Sequence, residues 1–193
     1  GNLAWRAAKL LLDEKGIKDG VTIKIRKYIP VAAGMAGGST DAAAVLVGVN
    51  RMFDLGFTKK ELMERGVKLG ADVPYCIMRG TALSEGIGEI LTELPAPPQC
   101  HLVIAKPQIS VSTKAVYGKL RVNERAPEEH PDIDGMMAAI KNGDLDGVIE
   151  RLGNVLETVT VPDHPEIAEI KEIMVENGAC GSLMSGSGPT VFG

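Results

Sequence analysis

One uncharged run and two carboxylates carry the chemistry this sequence could perform. The run is Pro30-Val-Ala-Ala-Gly-Met-Ala-Gly-Gly-Ser-Thr40, which holds three glycines and closes on two hydroxyls. It leads into Asp41 and then Ala42, Ala43, Ala44 and Leu46, all but the first strong helix formers. The first turn of a helix has unpaired N–H groups and the positive end of the helix dipole. Glycines ahead of it let a ligand reach the backbone without meeting Cβ atoms. Ser39 and Thr40 add hydroxyls where a phosphate oxygen or Mg²⁺ would sit. The stretch therefore has the chemistry of a phosphate cradle. It equally suits a tight turn packed on a sheet, with Ser39 as a plain N-cap. The commoner phosphate motifs do not fit. No Lys precedes Ser39 or Thr40, and Gly34, Gly37 and Gly38 lack the G-x-G-x-x-G spacing.

Asp41 falls in the first turn of the expected helix, where an acid complements the dipole. It would also repel a nearby phosphate unless a metal intervened. Asp72, in LGADVPYC, stands among apolar neighbours. A carboxylate there is either a helix cap or a functional acid held in a pocket. A second glycine cluster, Ser185-Gly-Ser-Gly-Pro-Thr190, lies between apolar runs and reads as a strand-to-strand turn.

The elements that must position these residues follow from periodicity. Residues 2–15 form an amphipathic helix with Leu3, Ala7, Leu10 and Leu11 on one face, Asn2 as cap and Gly16 as stop. VTIKIRKYIP alternates and reads as a half-buried strand ended by Pro30. A helix spans about 39–53, and Thr58 with Glu61 forms a capping box that opens another, to about Leu69. Residues 70–94, with PYCIM and GTALSEG, read as short strands and turns. PAPPQ, residues 95–99, is the linker. HLVIAKP then reads as a buried strand, and Ser112 or Thr113 caps a helix through Leu120. The polar stretch 121–131 reads as a surface loop. Helices are expected around 134–141 and 145–157, and another after the Asp163/Glu166 capping pattern, ending at Asn177-Gly178. ACGSLMSGSGPTVFG closes as strand, turn, strand.

Composition narrows the function classes. The 193 residues are 45% hydrophobic and 24% charged, as in a globular protein of one large or two small domains. A net charge of −4 gives no broad attraction to nucleic acid or anionic membrane. At 4% aromatic with one Trp, base stacking has little material. No apolar run reaches the length of a membrane span and no secretory pattern opens the chain. Three widely spaced cysteines and three scattered histidines form no disulfide framework or zinc motif, which fits a reduced cytoplasmic setting.

The run from Pro30 to Thr40 resembles the phosphate-binding motif of the GHMP small-molecule kinases. LGADVPYC, the EGIGE of residues 85–89 and the terminal SGSGPTVFG continue the resemblance in the family's order, over nearly the whole chain. It implies an α+β, two-domain GHMP kinase fold, with a ribosomal protein S5 domain 2-like N-terminal domain and a ferredoxin-like C-terminal domain. Residues 1–97 would bind nucleotide and residues 98–193 would lie on the substrate side. ATP and Mg²⁺ are the implied cofactors, and a cytidine diphosphate-linked small molecule is the implied acceptor. By position, Pro30, Val31, Ala32, Ala33, Gly34, Met35, Ala36, Gly37, Gly38, Ser39 and Thr40 would cradle the ATP phosphates. Met35 departs from the family's usual Leu. Asp72 matches the catalytic base that takes the acceptor's proton. Tyr117, in STKAVYGKL, matches the aromatic set against the cytosine ring; otherwise it is a core residue. Lys27 and Asn2 fall near the nucleotide base, or are a surface lysine and a helix cap. Family members also begin with a lysine in a K-x-N-L type segment and continue past TVFG. The chain is accordingly expected to lack both ends and to be inactive by itself. The competing readings are a mevalonate- or homoserine-type kinase, which GADVP and EGIGE argue against, and a non-catalytic nucleotide-binding module.

Overall fold

The computed structural model describes residues 1–121 and 130–193. Residues 122–129, most of the expected polar surface loop, lie outside the described residues. The chain divides into two compact units. The first is Gly1–Val31 with Ala36–Leu94, and the second is Ala32–Met35 with Pro95–Gly193. Both mix helices with small antiparallel sheets, an α+β arrangement. Among the described residues, no helix is long and apolar enough to cross a membrane.

The first unit is built on α1 (Leu3–Glu14) and α2 (Gly37–Met52). Asn2 caps α1 by accepting from the Ala4 N–H at 2.8 Å. Ala4, Ala7, Ala8, Leu11 and Leu12 form its buried face, and α2 buries Ala42, Ala43, Leu46 and Val49. Small residues on both faces let the two helices approach closely. Leu11 and Leu46 are fully buried, each worth about 1.5–3 kcal/mol of transfer free energy. Helix α3 (Lys59–Gly66) starts with the expected capping box, and α4 (Val73–Met78) packs Val73 and Ile77 into the same core. A hairpin, β1 (Thr81–Glu85) and β2 (Ile90–Leu94), pairs Thr81 with Leu94 through Glu85 with Ile90.

The second unit contains β3 (Ile104–Ala105), α5 (Thr113–Lys119), α6 (Ile133–Asn142), α7 (Leu145–Glu150), α8 (Glu157–Asp163), α9 (Glu166–Glu176), β4 (Leu183–Met184) and β5 (Val191–Phe192). Its sheet runs in the order β3-β5-β4, antiparallel throughout. Val111, Val116, Leu156, Ile167, Met184 and Val191 form its core.

Several local expectations are corrected. VTIKIRKYIP is not a strand, because no described residue pairs with it; Val21 and Ile23 still pack on the first core. PYCIM is helical, not a strand. Val73, Pro74, Ile77 and Met78 are buried with helical spacing, and Pro74 sits in the first turn, where its missing N–H costs nothing. HLVIAKP is not buried. Ile104 and Ala105 pair with β5, Val103 exchanges backbone hydrogen bonds with Gly193 at 2.9 Å, and the Leu102, Val103 and Ile104 side chains are exposed. The helix expected over 145–157 stops at Glu150. Past Gly153, the Asn154 side chain accepts from the Leu156 N–H at 3.0 Å and starts a new turn. Asp163 does not cap α9; its carboxylate binds Lys119 at 2.5 Å.

Candidate functional site

Helix α2 begins at Gly37, two residues earlier than expected, so Ser39 lies inside its first turn and is not the N-cap. The N-cap is Ala36, held at φ +49° with no side chain able to cap. The N–H groups of Gly37, Gly38 and Ser39 therefore have no protein acceptor among the described residues. Ala32 is also left-handed, at φ +53°. Each such alanine costs about 1–2 kcal/mol, and strain of this kind gathers where a ligand is held. A Cβ at position 37 would crowd the Ile29 side chain at 2.8 Å and meet the Lys27 nitrogen at 3.2 Å.

The first turn of α2 faces α4. The Thr40 hydroxyl donates to the Ala36 carbonyl at 3.1 Å, leaving its lone pairs for the Cys76 thiol at 3.5 Å. Burial pushes the Cys76 thiol up, reinforced by the Asp72 charge and opposed by the Thr40 contact, so the sulfur stays protonated. Ser39 Oγ would lie 3.9 Å from a Cβ placed on Gly70. The loop that leads into Asp72 thus borders the first turn of α2. Asp72 occupies the N-cap position of α4 but makes no capping bond. It is exposed, and its carboxylate has no hydrogen bond or ion pair among the described residues. Sequence reasoning offered a cap or a pocketed acid; the side chain is instead free and solvated. Gly88, in the EGIGE turn, packs near the Ala71 carbonyl, and that turn is held by Ile87 N–H donating to Glu89 at 2.7 Å.

Asp41 is the fifth residue of α2 and pairs with Lys27 at 2.6 Å. Asn2 is the cap of α1. The Lys27–Asp41 pair was not foreseen, although two opposite charges flanking a neutral run were a usable signal.

Residues 32–35 of the same run belong to the second unit. There Ser185 Oγ donates to the Gly34 carbonyl at 2.7 Å. Gly34 has φ +71°, and a Cβ on it would strike the Ser185 carbonyl. The turn behind it is fixed by Asn154, whose amide donates to Met184 O and Gly186 O at 2.8 Å each. Ser187 Oγ meets Thr113 Oγ1, in the first turn of α5, at 2.8 Å. The two glycine clusters are therefore in direct contact, which spacing alone could not reveal. Tyr117, one turn beyond Thr113 on the same face of α5, is 60% exposed, so the core-packing alternative fails. Among the described residues, no group of three or more His, Cys, Asp or Glu is gathered to hold a metal.

The arrangement offers amide and hydroxyl donors for an anion beside an unengaged carboxylate. Known proteins resemble the chain along its whole length. The GHMP kinases N terminal domain family matches residues 2–80, and the GHMP kinases C terminal family matches residues 136–193. A 4-diphosphocytidyl-2-C-methyl-D-erythritol kinase of Lachnospira eligens is 55% identical over 192 residues, covering 100% of this chain and 66% of the relative. One from a Geobacillus species is 54% identical, with 65% of its length covered. The chain thus spans just under two thirds of these curated relatives. Among solved structures, a 4-(cytidine 5'-diphospho)-2C-methyl-D-erythritol kinase superposes with a TM-score of 0.81 at 34% identity, over 100% of this chain and 68% of that one. A homoserine kinase from Cytophaga hutchinsonii gives a TM-score of 0.82 at 21% identity, over 99% and 65%, a likeness of fold alone.

Proposed function

This chain belongs to the GHMP kinase family, and from that premise we propose that it serves ATP-dependent phosphorylation of 4-diphosphocytidyl-2-C-methyl-D-erythritol at its 2-hydroxyl. That reaction lies in non-mevalonate biosynthesis of the isoprenoid precursor isopentenyl diphosphate, in the cytoplasm. The observation that carries the reading is 55% identity over the chain's full length to a kinase named for that acceptor. The homoserine kinase likeness lies in the fold alone and does not favour a second acceptor.

Phosphoryl transfer has a loose transition state, so a protein contributes mainly position and charge. The uncapped amides of Gly37, Gly38 and Ser39, with the Ser39 hydroxyl, would hold the nucleotide's phosphates at the positive end of α2. Gly34 and its neighbours would shape the approach, with Ser185 fixing the Gly34 carbonyl. The Asp72 carboxylate would orient the acceptor hydroxyl and take its proton. Its lack of any partner among the described residues supports that assignment, since a carboxylate spent on a cap or ion pair is a weaker acceptor. Tyr117 would stack on the cytosine ring; its exposure supports this. Mg²⁺ suits the hard hydroxyl oxygen of Ser39 and would come with the nucleotide's own oxygens; when bound it neutralises phosphate charge. Residues 1–94, without 32–35, would carry most nucleotide contacts, and the second unit the acceptor's.

The test is transfer of labelled γ-phosphate from ATP, by the protein carrying this sequence, to three acceptors offered separately. Product only with the cytidine-bearing acceptor is the expected result. Equal or preferred use of homoserine or mevalonate would replace the proposed acceptor, and nucleotide binding with no transfer to any of them would favour a non-catalytic role.

A further inference from the structure

Asp41 presents a problem for a phosphate cradle. It stands four residues after Gly37, so it sits on the same face of α2 as the first open amide. An uncompensated carboxylate there would oppose the anion that the amides attract. Lys27 lies over this face. Its ammonium meets Asp41 Oδ2 at 2.6 Å, and a Cβ on Gly37 would be 3.2 Å from the Lys27 nitrogen. Only about a third of either side chain is exposed, at 31% and 30%. Ile29 packs beside it on Gly37. The ammonium is thus committed to Asp41 and wedged against the helix start.

We propose that Lys27 is a positioning residue that acts on the bound phosphates through Asp41. It cancels the charge of that carboxylate; it does not grip the phosphates itself. The inference rests on the reading of residues 37–40 as the phosphate cradle. Glycine at 37 leaves room for the ammonium and for Ile29 beside it.

The experiment is calorimetric titration of the full chain with ADP, without divalent metal, against adenosine as a control. Lys27→Met leaves Asp41 uncompensated and should weaken ADP binding about tenfold, the scale of one bare charge a few ångströms away in a partly solvated site. The loss should fade as salt is raised. Lys27→Arg should keep the affinity. The double variant Lys27→Met/Asp41→Asn should return to within about threefold of the unaltered protein, which no merely structural role of Lys27 explains. Asp41→Asn alone should bind ADP at least as tightly as the unaltered chain. A double variant as weak as Lys27→Met would mean that the lysine grips the phosphates directly, and would overturn the inference. So would an unaffected Lys27→Met, or a weakened Asp41→Asn. If the unaltered chain binds adenosine as tightly as ADP, the cradle reading itself fails.

Discussion

At the scale of single residues, Asp72 and Gly34 carry the sharpest consequences. Asp72 is exposed and unpaired among the described residues, so its replacement disturbs no structural contact. Asp72→Asn should lower the turnover number by roughly 10²–10⁴-fold, the usual worth of a general base, while the melting temperature and ATP affinity stay unchanged. Steady-state kinetics beside a thermal melt checks this, and near-normal turnover would remove Asp72 from the chemistry. Gly34 is left-handed and has no room for a Cβ. Gly34→Ala should therefore weaken nucleotide binding and lower the melting temperature together, because the loop must move off Ser185. Tyr117→Ala should raise KM for the cytidine-bearing acceptor roughly tenfold, as loss of one base-stacking contact does. The same change should leave KM for ATP alone; a shift in the ATP value instead would place the ring elsewhere.

At the scale of elements, α1 and α3 are joined by Glu14 and Arg65, whose side chains bond directly, while Arg65 also lies 4.0 Å from the centre of the Phe57 ring. The Arg65 hydrogen bond, followed by its charge and those of Lys68 and Lys15, holds the Glu14 carboxyl below its ordinary range against the effect of burial. A carboxyl lowered on folding stabilises the protein above its unfolded pKa, and that contribution is lost as pH falls through the folded value. Glu14→Gln should therefore lower the melting temperature at neutral pH, by no more than about 1 kcal/mol in stability for so exposed a pair. The deficit should vanish on acidification below the carboxylate range. A deficit independent of pH would assign the effect to packing. Elements whose signals are local were legible in the sequence. Asn2, Gly16, the Thr58–Glu61 box and the i, i+4, i+7 spacing of Ala42, Leu46 and Val49 each act within a turn or two of helix. What escaped depends on distant partners. The alternation of VTIKIRKYIP shows a strand's pattern but cannot show a ladder. The short apolar run VPYCIM is equally compatible with strand and helix, and only burial of Val73, Pro74, Ile77 and Met78 against α2 and α3 decides it. The start of α2 at Gly37 runs against the low helix propensity of two glycines and is settled by Lys27, Ile29 and Leu3 packing on them.

At the scale of the whole molecule, four glycine-loop residues join the second unit while their neighbours join the first, and no propensity records that division. The free carboxylate and open amides of the first unit, and the exposed Tyr117 ring of the second, were legible as residue types; their partners, or lack of them, were not. Each unit has its own core, centred on Leu11 and Leu46 in one and Ile167 and Met184 in the other. Ile167→Ala should cost about 2–5 kcal/mol. Hydrogen exchange should quicken first in α5, α8, α9 and the β3-β5-β4 sheet, while α1 and α2 stay protected; uniform acceleration would mean that both cores open as one. Nucleotide binding, as proposed, depends most on the bare amides at the start of α2. A crystal structure of the protein with a non-hydrolysable ATP analogue tests them most directly. The expected result is phosphate oxygens within hydrogen-bond distance of the Gly37, Gly38 and Ser39 N–H groups, with the Asp72 carboxylate facing the terminal phosphate. A triphosphate bound away from the first turn of α2, or Asp72 turned away from it, would contradict the account.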